Sequence, residues 1–331
     1  MVILYHVFEK KQRILKNLPI YDRVCSGDFM KKRLEGSILL MMTTTIWGFA
    51  FVAQSVGMDK IGPFTFQAVR CLLAVLFLAP CSLIFDKLGK RSFRDSMTRW
   101  RDPKLWKTGL ICGLALFVAA SLQQVGLVYT DAGKAGFITA MYIVLVPILG
   151  IFLKQKLPKT AIPSVAIAVI GLYLLSCMGV SEVNRGDIYL MLSALAFAVQ
   201  IQCIGQLAQD MDGLRLNCVQ CLIVSLLSSV FMGATEAVIA GDILACWSSL
   251  LFAGILSMGV AYTMQIVAQK VLEPTTASLI MSLESVFAAI GGWAILHEQM
   301  TRWELLGASL VFGAVLLSQV PEGLFKVKTS G

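Results

Sequence analysis

The sequence predicts an all-α integral membrane protein of ten transmembrane helices, arranged as two inverted five-helix repeats with both termini in the cytoplasm. Three observations support this fold class. Hydrophobic residues make up 57% of the 331 residues and charged residues only 15%, whereas soluble domains have about 25% charged residues. The apolar residues are gathered in runs of about 20, the length that spans a bilayer as a helix. The two halves of the chain also match each other, and basic residues concentrate in alternate loops.

Ten apolar runs are separated by breaks that carry turn and capping residues. The break after Tyr129 is long enough only for a tight turn, and Thr130 or Asp131 can cap the helix that follows it. Before the last run, Thr301 and Glu304 have the spacing of a capping box. The predicted spans are Gly36–Met58, Phe64–Phe85, Leu105–Tyr129, Gly133–Leu153, Ala161–Val180, Gly186–Gln209, Leu214–Ala240, Ser248–Val271, Thr275–Leu296 and Trp303–Val320.

An internal repeat organises these spans. The segment Leu122–Gly150 returns 142 residues later as Met264–Gly292, so that Gln123 matches Gln265. The first two helices of each half match at an offset of 150, which makes the loop between the second and third helices eight residues shorter in the second half. Because five is an odd number, the second half must be inserted upside down relative to the first. Inverted repeats are typical of alternating-access transporters, whose solute site lies near the membrane midplane between the repeats.

The repeat also predicts the division of the chain. A basic cytoplasmic tail at 1–33 precedes a first repeat at 34–180, and a second repeat at 181–320 precedes a cytoplasmic tail at 321–331. The N-terminal segment has no cleavage site of a signal peptide. The sequence MKKR at 30–33, directly before the first apolar run, is typical of the natural start of a membrane protein. We therefore expect residues 1–29 to be a spurious upstream extension that is absent from the native protein. Peptides covering Lys10 to Lys16 in the native protein would contradict that hypothesis.

The orientation follows from the basic residues. With the N-terminus inside, 23 of the 28 Lys and Arg residues fall in cytoplasmic segments and 4 in outer segments, while Arg70 lies within a span. This asymmetry follows the positive-inside rule and predicts a multi-pass protein of the plasma membrane. It also accounts for the net charge of +8 without a nucleic acid partner. The basic loop Asp86–Lys107 is predicted to lie on anionic lipid headgroups, with a regulatory protein partner as the alternative.

The composition argues against several classes of chemistry. The only two histidines, His6 and His297, are too few for a metal centre or a His-based catalytic site. The nine cysteines are scattered, and an odd number without paired spacing argues against a disulfide framework. Cys218 and Cys221 lie within a predicted helix, so we interpret them as packing residues. We therefore expect no metal, no cofactor and no enzymatic activity.

Several motifs resemble a known family. They are the WGFAFV sequence at 47–52, Gly62-Pro63, Arg70, TDAGKAGFITAMYIVLVP at 130–147 and LESVFAAIGGWAILHEQMT at 283–301. Together the chain resembles the drug/metabolite transporter superfamily, EamA type, over about residues 34–320. The resemblance implies ten helices in two inverted repeats and the export or exchange of small metabolites. Two departures from the family pattern are Ser285, where Pro is frequent, and Lys156, where many relatives are acidic and the second half keeps Glu298.

Glu284 is the candidate with the sharpest chemistry. It falls near the middle of the ninth predicted helix, where a carboxylate costs about 2.5–3.5 kcal/mol on insertion scales. It is therefore expected to face a cavity or a partner. Two interpretations stay open: a site for a proton or a solute amine, and a structural carboxylate paired with Arg70. For Arg70, near the outer end of the second helix, the other alternative is snorkelling to the membrane surface.

Polar and aromatic side chains also share helix faces at helical spacing. Amides in a membrane must bond to a neighbouring helix or face a wet cavity, and both alternatives stay open for each glutamine, including Gln269. For the stripe of Trp47 and Phe51, packing is somewhat favoured. Pro147 predicts a bend in the fourth helix, static or gating, and Glu298 suits the dipole of the last helix. The predicted solute-binding residues are Trp47, Phe51, Gln54, Gln123, Thr139, Tyr142, Tyr262, Gln265 and Glu284.

The function that these features predict is secondary transport of a small polar or amphipathic metabolite. The expected partners are that solute and membrane lipids, and a homodimer is left open beside a monomer. Within transport, a passive facilitator is the alternative. Outside transport, the alternative is a non-transporting membrane scaffold. A membrane-embedded enzyme is disfavoured, because it would need an acid, a base and a nucleophile together within the spans.

Overall fold

The protein is described here by a computed structural model, which covers residues 19–155, 157–176, 184–295 and 301–320. The residues in these ranges form helices and no β-strand. Eight helical segments are long and apolar enough to cross a membrane. Two further helices, of 16 and 17 residues, occupy the positions of the fifth and tenth predicted spans. The chain is therefore an all-helical, multi-pass membrane protein.

Several spans consist of two or more helical pieces. One of these pieces, Phe252–Ala261, is π-helical, and we refer to it as the π segment. The α-helices in chain order are α1 Pro19–Met58, α2 Pro63–Leu88, α3 Phe93–Trp100, α4 Pro103–Leu127, α5 Ala132–Ala140, α6 Tyr142–Phe152, α7 Ala161–Ser176, α8 Arg185–Leu207, α9 Gly213–Thr235, α10 Ala240–Ala245, α11 Trp247–Leu251, α12 Tyr262–Ala268, α13 Pro274–Met281, α14 Leu283–Ile295 and α15 Arg302–Ser318.

Two helix boundaries differ by five residues or more from those predicted. Helix α1 begins at Pro19, so that its N-terminal part covers residues predicted as tail. Helix α9 ends at Thr235, before the predicted Ala240, because Glu236 adopts an extended backbone and turns its side chain to the start of α2. The predicted capping box of the last helix is present, with Glu304 N donating to Thr301 Oγ1 at 3.2 Å.

The fourth and ninth spans are each interrupted near the same point of the repeat. Met141 separates α5 from α6, and Ser282 separates α13 from α14. At both breaks the backbone makes a three-residue turn, from Val144 N to Met141 O at 3.1 Å and from Ser285 N to Ser282 O at 3.2 Å. Pro147 lies within α6, which continues through it. The interruption of the fourth span is thus at Met141 and not at the proline.

The eighth span, predicted as one regular helix, contains the π segment instead. A π-helix widens the helical turn and is frequent at functional sites. Here it begins after α11 and leads directly into α12. Ser257 and Met258 of this segment reach the cavity described below.

The two halves of the chain are interleaved, because the most extensive helix contacts join one half to the other. Helix α2 packs against α9, α4 against α8, α7 against α15, and α1 against α14. The backbones of α7 and α15 approach closely, since a Cβ on Gly171 would lie 2.7 Å from the carbonyl oxygen of Gly307. Small residues permit such contact between helices in lipid.

Candidate functional site

A cavity lies between the two halves, and its interior of about 30 Å³ has room for a few water molecules. Its lining includes all nine residues that the sequence predicts as solute-binding, namely Trp47, Phe51, Gln54, Gln123, Thr139, Tyr142, Tyr262, Gln265 and Glu284. Eight more residues complete the lining: Ala50, Arg70, Phe197, Gln200, Ile201, Ser257, Met258 and Met281.

Most of the lining consists of repeat-related pairs. Of the seventeen residues, twelve form six pairs that are separated by the offset of their part of the repeat. The cavity therefore lies where the two repeats meet through equivalent positions. The pairs are Trp47 and Phe197, Ala50 and Gln200, and Phe51 and Ile201 at the offset of 150, then Gln123 and Gln265, Thr139 and Met281, and Tyr142 and Glu284 at the offset of 142.

Glu284 has a hydrogen-bond partner on the opposite half. Its Oε1 accepts from Tyr142 Oη at 2.9 Å, and both side chains are buried. The carboxylate also lines the cavity. Glu284 therefore has both a structural hydrogen bond and a place in the cavity lining. Its hydrogen-bond partner is Tyr142 and not Arg70.

Arg70 is buried, with 2% of its surface exposed, and neither sequence interpretation of it is correct. Among the described residues it forms no ion pair, with Glu284 or with any other carboxylate. Its Nε donates to Gln67 Oε1 at 2.8 Å, and its guanidinium also contacts the Oε1 atom of Gln54. The guanidinium lies 5.6 Å from the ring centroid of Phe66. It does not snorkel to the surface, because amide oxygens and an aromatic face solvate it inside the protein.

Aromatic rings form one wall of the cavity. Trp47 of α1 and Tyr262 of α12 have ring centroids 4.8 Å apart, with their planes inclined by 54°. Tilted aromatic pairs of this kind are attractive beyond their buried area. Trp47 therefore packs and lines the cavity at once, and Phe51, which is 2% exposed, does the same.

The amides of the cavity are only partly satisfied. Gln265 Nε2 lies 3.4 Å from Gln200 Oε1, and Gln123 Nε2 lies 3.5 Å from Thr139 Oγ1. Three buried polar atoms of the lining have no hydrogen-bond partner: Trp47 Nε1, Gln200 Nε2 and Gln265 Oε1. Since buried polar groups are normally bonded, two donors and one acceptor here are available to a solute or to water. Gln269 is not part of the lining: its Nε2 donates to the carbonyl of Ile201 at 3.0 Å, while its Oε1 is likewise buried without a partner.

Comparison with known proteins identifies the fold and the family. The EamA-like transporter family model matches residues 34–177 and again residues 184–319. The chain belongs to the EamA-like transporter family. One solved crystal structure superposes with a TM-score of 0.72 over 88% of this chain and 99% of its own length, at 14% sequence identity, which shows a common fold.

Most of the similar proteins are described as transporters. An uncharacterized transporter from Archaeoglobus fulgidus is 32% identical over 289 residues, which are 86% of this chain and 86% of that protein. The uncharacterized transporter YoaV of Bacillus subtilis is 23% identical over 84% of this chain and 94% of its own. A chloroplastic WAT1-related protein from Arabidopsis thaliana is 24% identical over 87% of this chain and 71% of its own.

Sequence reasoning missed eight residues of the lining, and the family's repeat contains the signal that finds three of them. Applying the offset of 150 to Trp47 and Phe51 gives Phe197 and Ile201, and applying the offset of 142 to Thr139 gives Met281. Ser257 and Met258 had no such signal, since the π segment that turns them inward is not visible in the periodicity of the sequence.

No cluster of three or more His, Cys, Asp or Glu that could hold a metal is found in the part of the chain that the structure describes. Cys218 and Cys221 are buried as free thiols, as the packing interpretation predicts. Lys156, His297 and Glu298, on which the sequence also made predictions, lie outside the described residues.

Proposed function

We propose that this protein is a secondary transporter that moves a small polar or amphipathic metabolite across the plasma membrane by alternating access, in the direction of export or by exchange. The observation that carries the proposal is the cavity lined by six repeat-related pairs. When two inverted repeats meet at one site, exchanging their conformations exposes that site first to one side of the membrane and then to the other.

The proposed topology completes this function. Ten transmembrane helices form two inverted repeats, at 34–180 and 181–320, with cytoplasmic tails at 1–33 and 321–331. Eight apolar segments of spanning length support it, together with the shorter helices α7 and α15. The concentration of Lys and Arg in alternate loops supports cytoplasmic termini. Whether the protein acts as a monomer or a homodimer does not affect this arrangement.

The chemistry of the lining suggests what the solute offers. A buried carboxylate, a buried guanidinium and unsatisfied amide groups suit a solute with polar groups, and the rings of Trp47 and Tyr262 suit an apolar portion. We assign solute contact to the nine predicted residues, with Arg70 and Gln200 added. Glu284 would take part as the site of a proton or of a solute amine.

The test is counterflow in proteoliposomes. Vesicles containing the full chain are preloaded with one member of a panel of amino acids, amines, sugars or nucleosides, and uptake of its labelled form is measured. We expect at least one solute to drive exchange, and Gln265→Ala to weaken it. The control is Gln209→Ala, which changes an exposed amide that bonds only to backbone carbonyls. If folded protein exchanges no solute, the transporter proposal fails and the membrane scaffold becomes the better interpretation.

The energy source separates the two kinds of transport. The sequence contains no nucleotide-binding loop, so gradients of solute or of ions would supply the energy. Uptake against a solute gradient when a proton gradient is imposed supports coupled transport. Exchange that stops at equal concentrations under every gradient supports the passive facilitator.

A further inference from the structure

Helices α2 and α9 hold the same position in the two repeats and pack against each other. Each ends in a carboxylate that binds the beginning of the other helix. Asp86 at the end of α2 binds Arg215 at the start of α9, and Glu236 after α9 binds Thr65 at the start of α2. The offset of 150 carries Asp86 onto Glu236 and Thr65 onto Arg215, so the two contacts are equivalent. Because each contact joins the end of one helix to the beginning of the other, α2 and α9 are antiparallel.

The Glu236 contact is a helix cap supplied by a neighbouring helix. Glu236 Oε1 accepts from Phe64 N at 2.8 Å, while Oε2 accepts from Thr65 N at 2.7 Å and from Thr65 Oγ1 at 2.6 Å. The residue at the N-cap of α2 is Gly62, which has no side chain to bond these groups. A Cβ on Gly62 would lie 2.6 Å from Glu236 Oε1, so a larger residue would displace the carboxylate.

At the start of α9 the same groups are bonded from within the helix. Asp212 Oδ1 accepts from Leu214 N at 3.1 Å and from Arg215 N at 3.4 Å. The repeats have thus diverged: one helix start has its own cap, and the other depends on a carboxylate from the opposite half.

The Asp86 contact is built from buried charges. Arg215, 2% exposed, binds Asp86 and donates to Asp212 Oδ2 at 2.6 Å and to Ser96 Oγ at 2.8 Å. Arg99 of α3 bridges both carboxylates, at 2.7 Å to Asp86 Oδ1 and 2.6 Å to Asp212 Oδ2. The helix α3 within the basic loop is therefore held to the start of α9 through this network.

The two contacts lie at opposite faces of the membrane. Thr65 and Asp86 are separated by 21 residues of α2, which at 1.5 Å per residue is about 32 Å. The hydrocarbon core of a bilayer is about 30 Å thick. In the proposed topology, Asp86 is at the cytoplasmic face and Glu236 at the outer face.

We propose that these contacts are the two gates of the transporter, here named the Asp86 gate and the Glu236 gate, and that one opens in each half of the cycle. This inference rests on the proposed function. Helix α2 also packs against the π segment, and α9 against α4, so each gate helix is attached to cavity-lining helices of the opposite half. One group is α2 with the π segment, and the other is α9 with α4. When one group tilts against the other, α2 and α9 separate at one end and stay together at the other end. Both gates are closed in this structure.

The gates differ in strength. The Asp86 gate joins two carboxylates to Arg215 and Arg99 and is mostly buried, whereas Glu236 binds uncharged groups, two backbone amides and one hydroxyl. Both contacts contain charge-assisted bonds, but the Asp86 gate has more of them and pairs opposite charges, so the Glu236 gate opens more readily. From the closed state of this structure, the protein without solute therefore opens more often at the face at which Glu236 lies.

Side-specific labelling tests the inference. Ser257→Cys places a nearly isosteric thiol in the cavity lining, and a membrane-impermeant thiol reagent is added to one face of oriented membrane vesicles. Peptide mass spectrometry reports labelling at position 257 apart from the native cysteines. We expect Glu236→Gln, and likewise Gly62→Ala, to raise the rate from the Glu236 face about tenfold. We expect Asp86→Asn to raise it from the opposite face. The control is Glu273→Gln, an exposed carboxylate at a helix start that makes no capping bond.

Two labelling results would overturn the gates. One is an equal rise from both faces, which indicates general loosening, and the other is no change from either face with folded protein. A second measurement does not depend on these variants. Thr65→Cys together with Glu236→Cys, joined by a short, reducible bifunctional thiol reagent, holds one gate closed. Counterflow should stop on crosslinking and return on reduction, and counterflow that continues through the crosslinked protein contradicts the inference.

The outcome separates the gates from the proposed function. Exchange by the wild-type chain that is insensitive to the crosslink leaves the transporter and removes the gates. Side-specific labelling shifts in a chain that exchanges no solute of the panel support the gates and count against the proposed transport.

Discussion

Tyr142 donates a hydrogen bond of 2.9 Å to Glu284, and the two residues occupy the same position in the two repeats. Two equivalent positions can touch only near the pseudo-two-fold axis that relates one repeat to the other. This contact therefore marks the centre of the proposed transport site. It also shows how the halves have diverged there, because a hydroxyl stands on one side and a carboxylate on the other.

Replacing Tyr142 by Phe should lower both stability and transport. The change leaves Glu284 Oε1 without its buried donor, and an unsatisfied buried acceptor costs about 1–3 kcal/mol. A lower melting temperature in detergent and slower counterflow are expected. Tyr173→Phe is the matched control, since that side chain is 54% exposed on the lipid-facing side of α7. Equal melting temperatures for the Tyr142 variant and the wild type would show that the bond does not support the fold.

Replacing Glu284 by Gln distinguishes its two proposed roles. Glutamine keeps the shape and can still bond Tyr142, but it carries no charge and cannot gain or lose a proton as the pH changes. If Glu284 is the proton site, the variant should exchange solute at a rate that no longer depends on pH. If it binds a solute amine, exchange should fall at every pH. Unchanged transport across the pH range would exclude the proton role.

Replacing Gln200 by Leu should weaken solute binding more than it weakens the fold. The Nε2 atom of Gln200 is buried in the lining without a partner, and its Oε1 accepts only a long bond of 3.4 Å from Gln265 Nε2, so removing the amide should lower the melting temperature only slightly. The same change removes a donor available to the solute and should raise KM for exchange by about tenfold. Ser228→Ala is a control, because it removes a buried unsatisfied hydroxyl away from the cavity. A KM equal to that of the wild type would exclude Gln200 from the solute site.

Replacing Gly307 by Ala should destabilise the protein, while Gly313→Ala on the same helix should not. A Cβ at Gly307 would lie 2.6 Å from Leu175 N, whereas one at Gly313 would meet no atom within 4 Å. Forced overpacking costs about 1–3 kcal/mol, and an unstrained Gly-to-Ala change gains about 0.4–1 kcal/mol. Melting temperatures of the two variants in the same detergent should therefore move in opposite directions. A similar shift for both would mean that α7 and α15 do not pack as described.

Much of the candidate site could be predicted from the sequence because membranes restrict where polar residues occur. A glutamine or carboxylate in a span must find a partner or a cavity, so helical spacing was enough to select the nine predicted residues. Tertiary structure was needed to tell Gln265, which lines the cavity, from Gln269, which joins two helices. Both lie on the same predicted face and both bond residues of α8, and they differ in whether the side chain lines the cavity.

By itself, the sequence determined that the chain is a helical membrane protein, where its spans lie and that its halves repeat, because these depend on hydrophobicity and on local periodicity. Only the tertiary structure decided the partners of buried charges. Arg70 bonds amides instead of Glu284, and Glu236 caps the start of a helix by accepting from Phe64, which is 172 residues earlier in the chain. Such contacts depend on how distant helices pack, and a long side chain can reach polar groups on several neighbouring helices. The local sequence therefore limits which partners are possible, but the packing of the helices selects one of them.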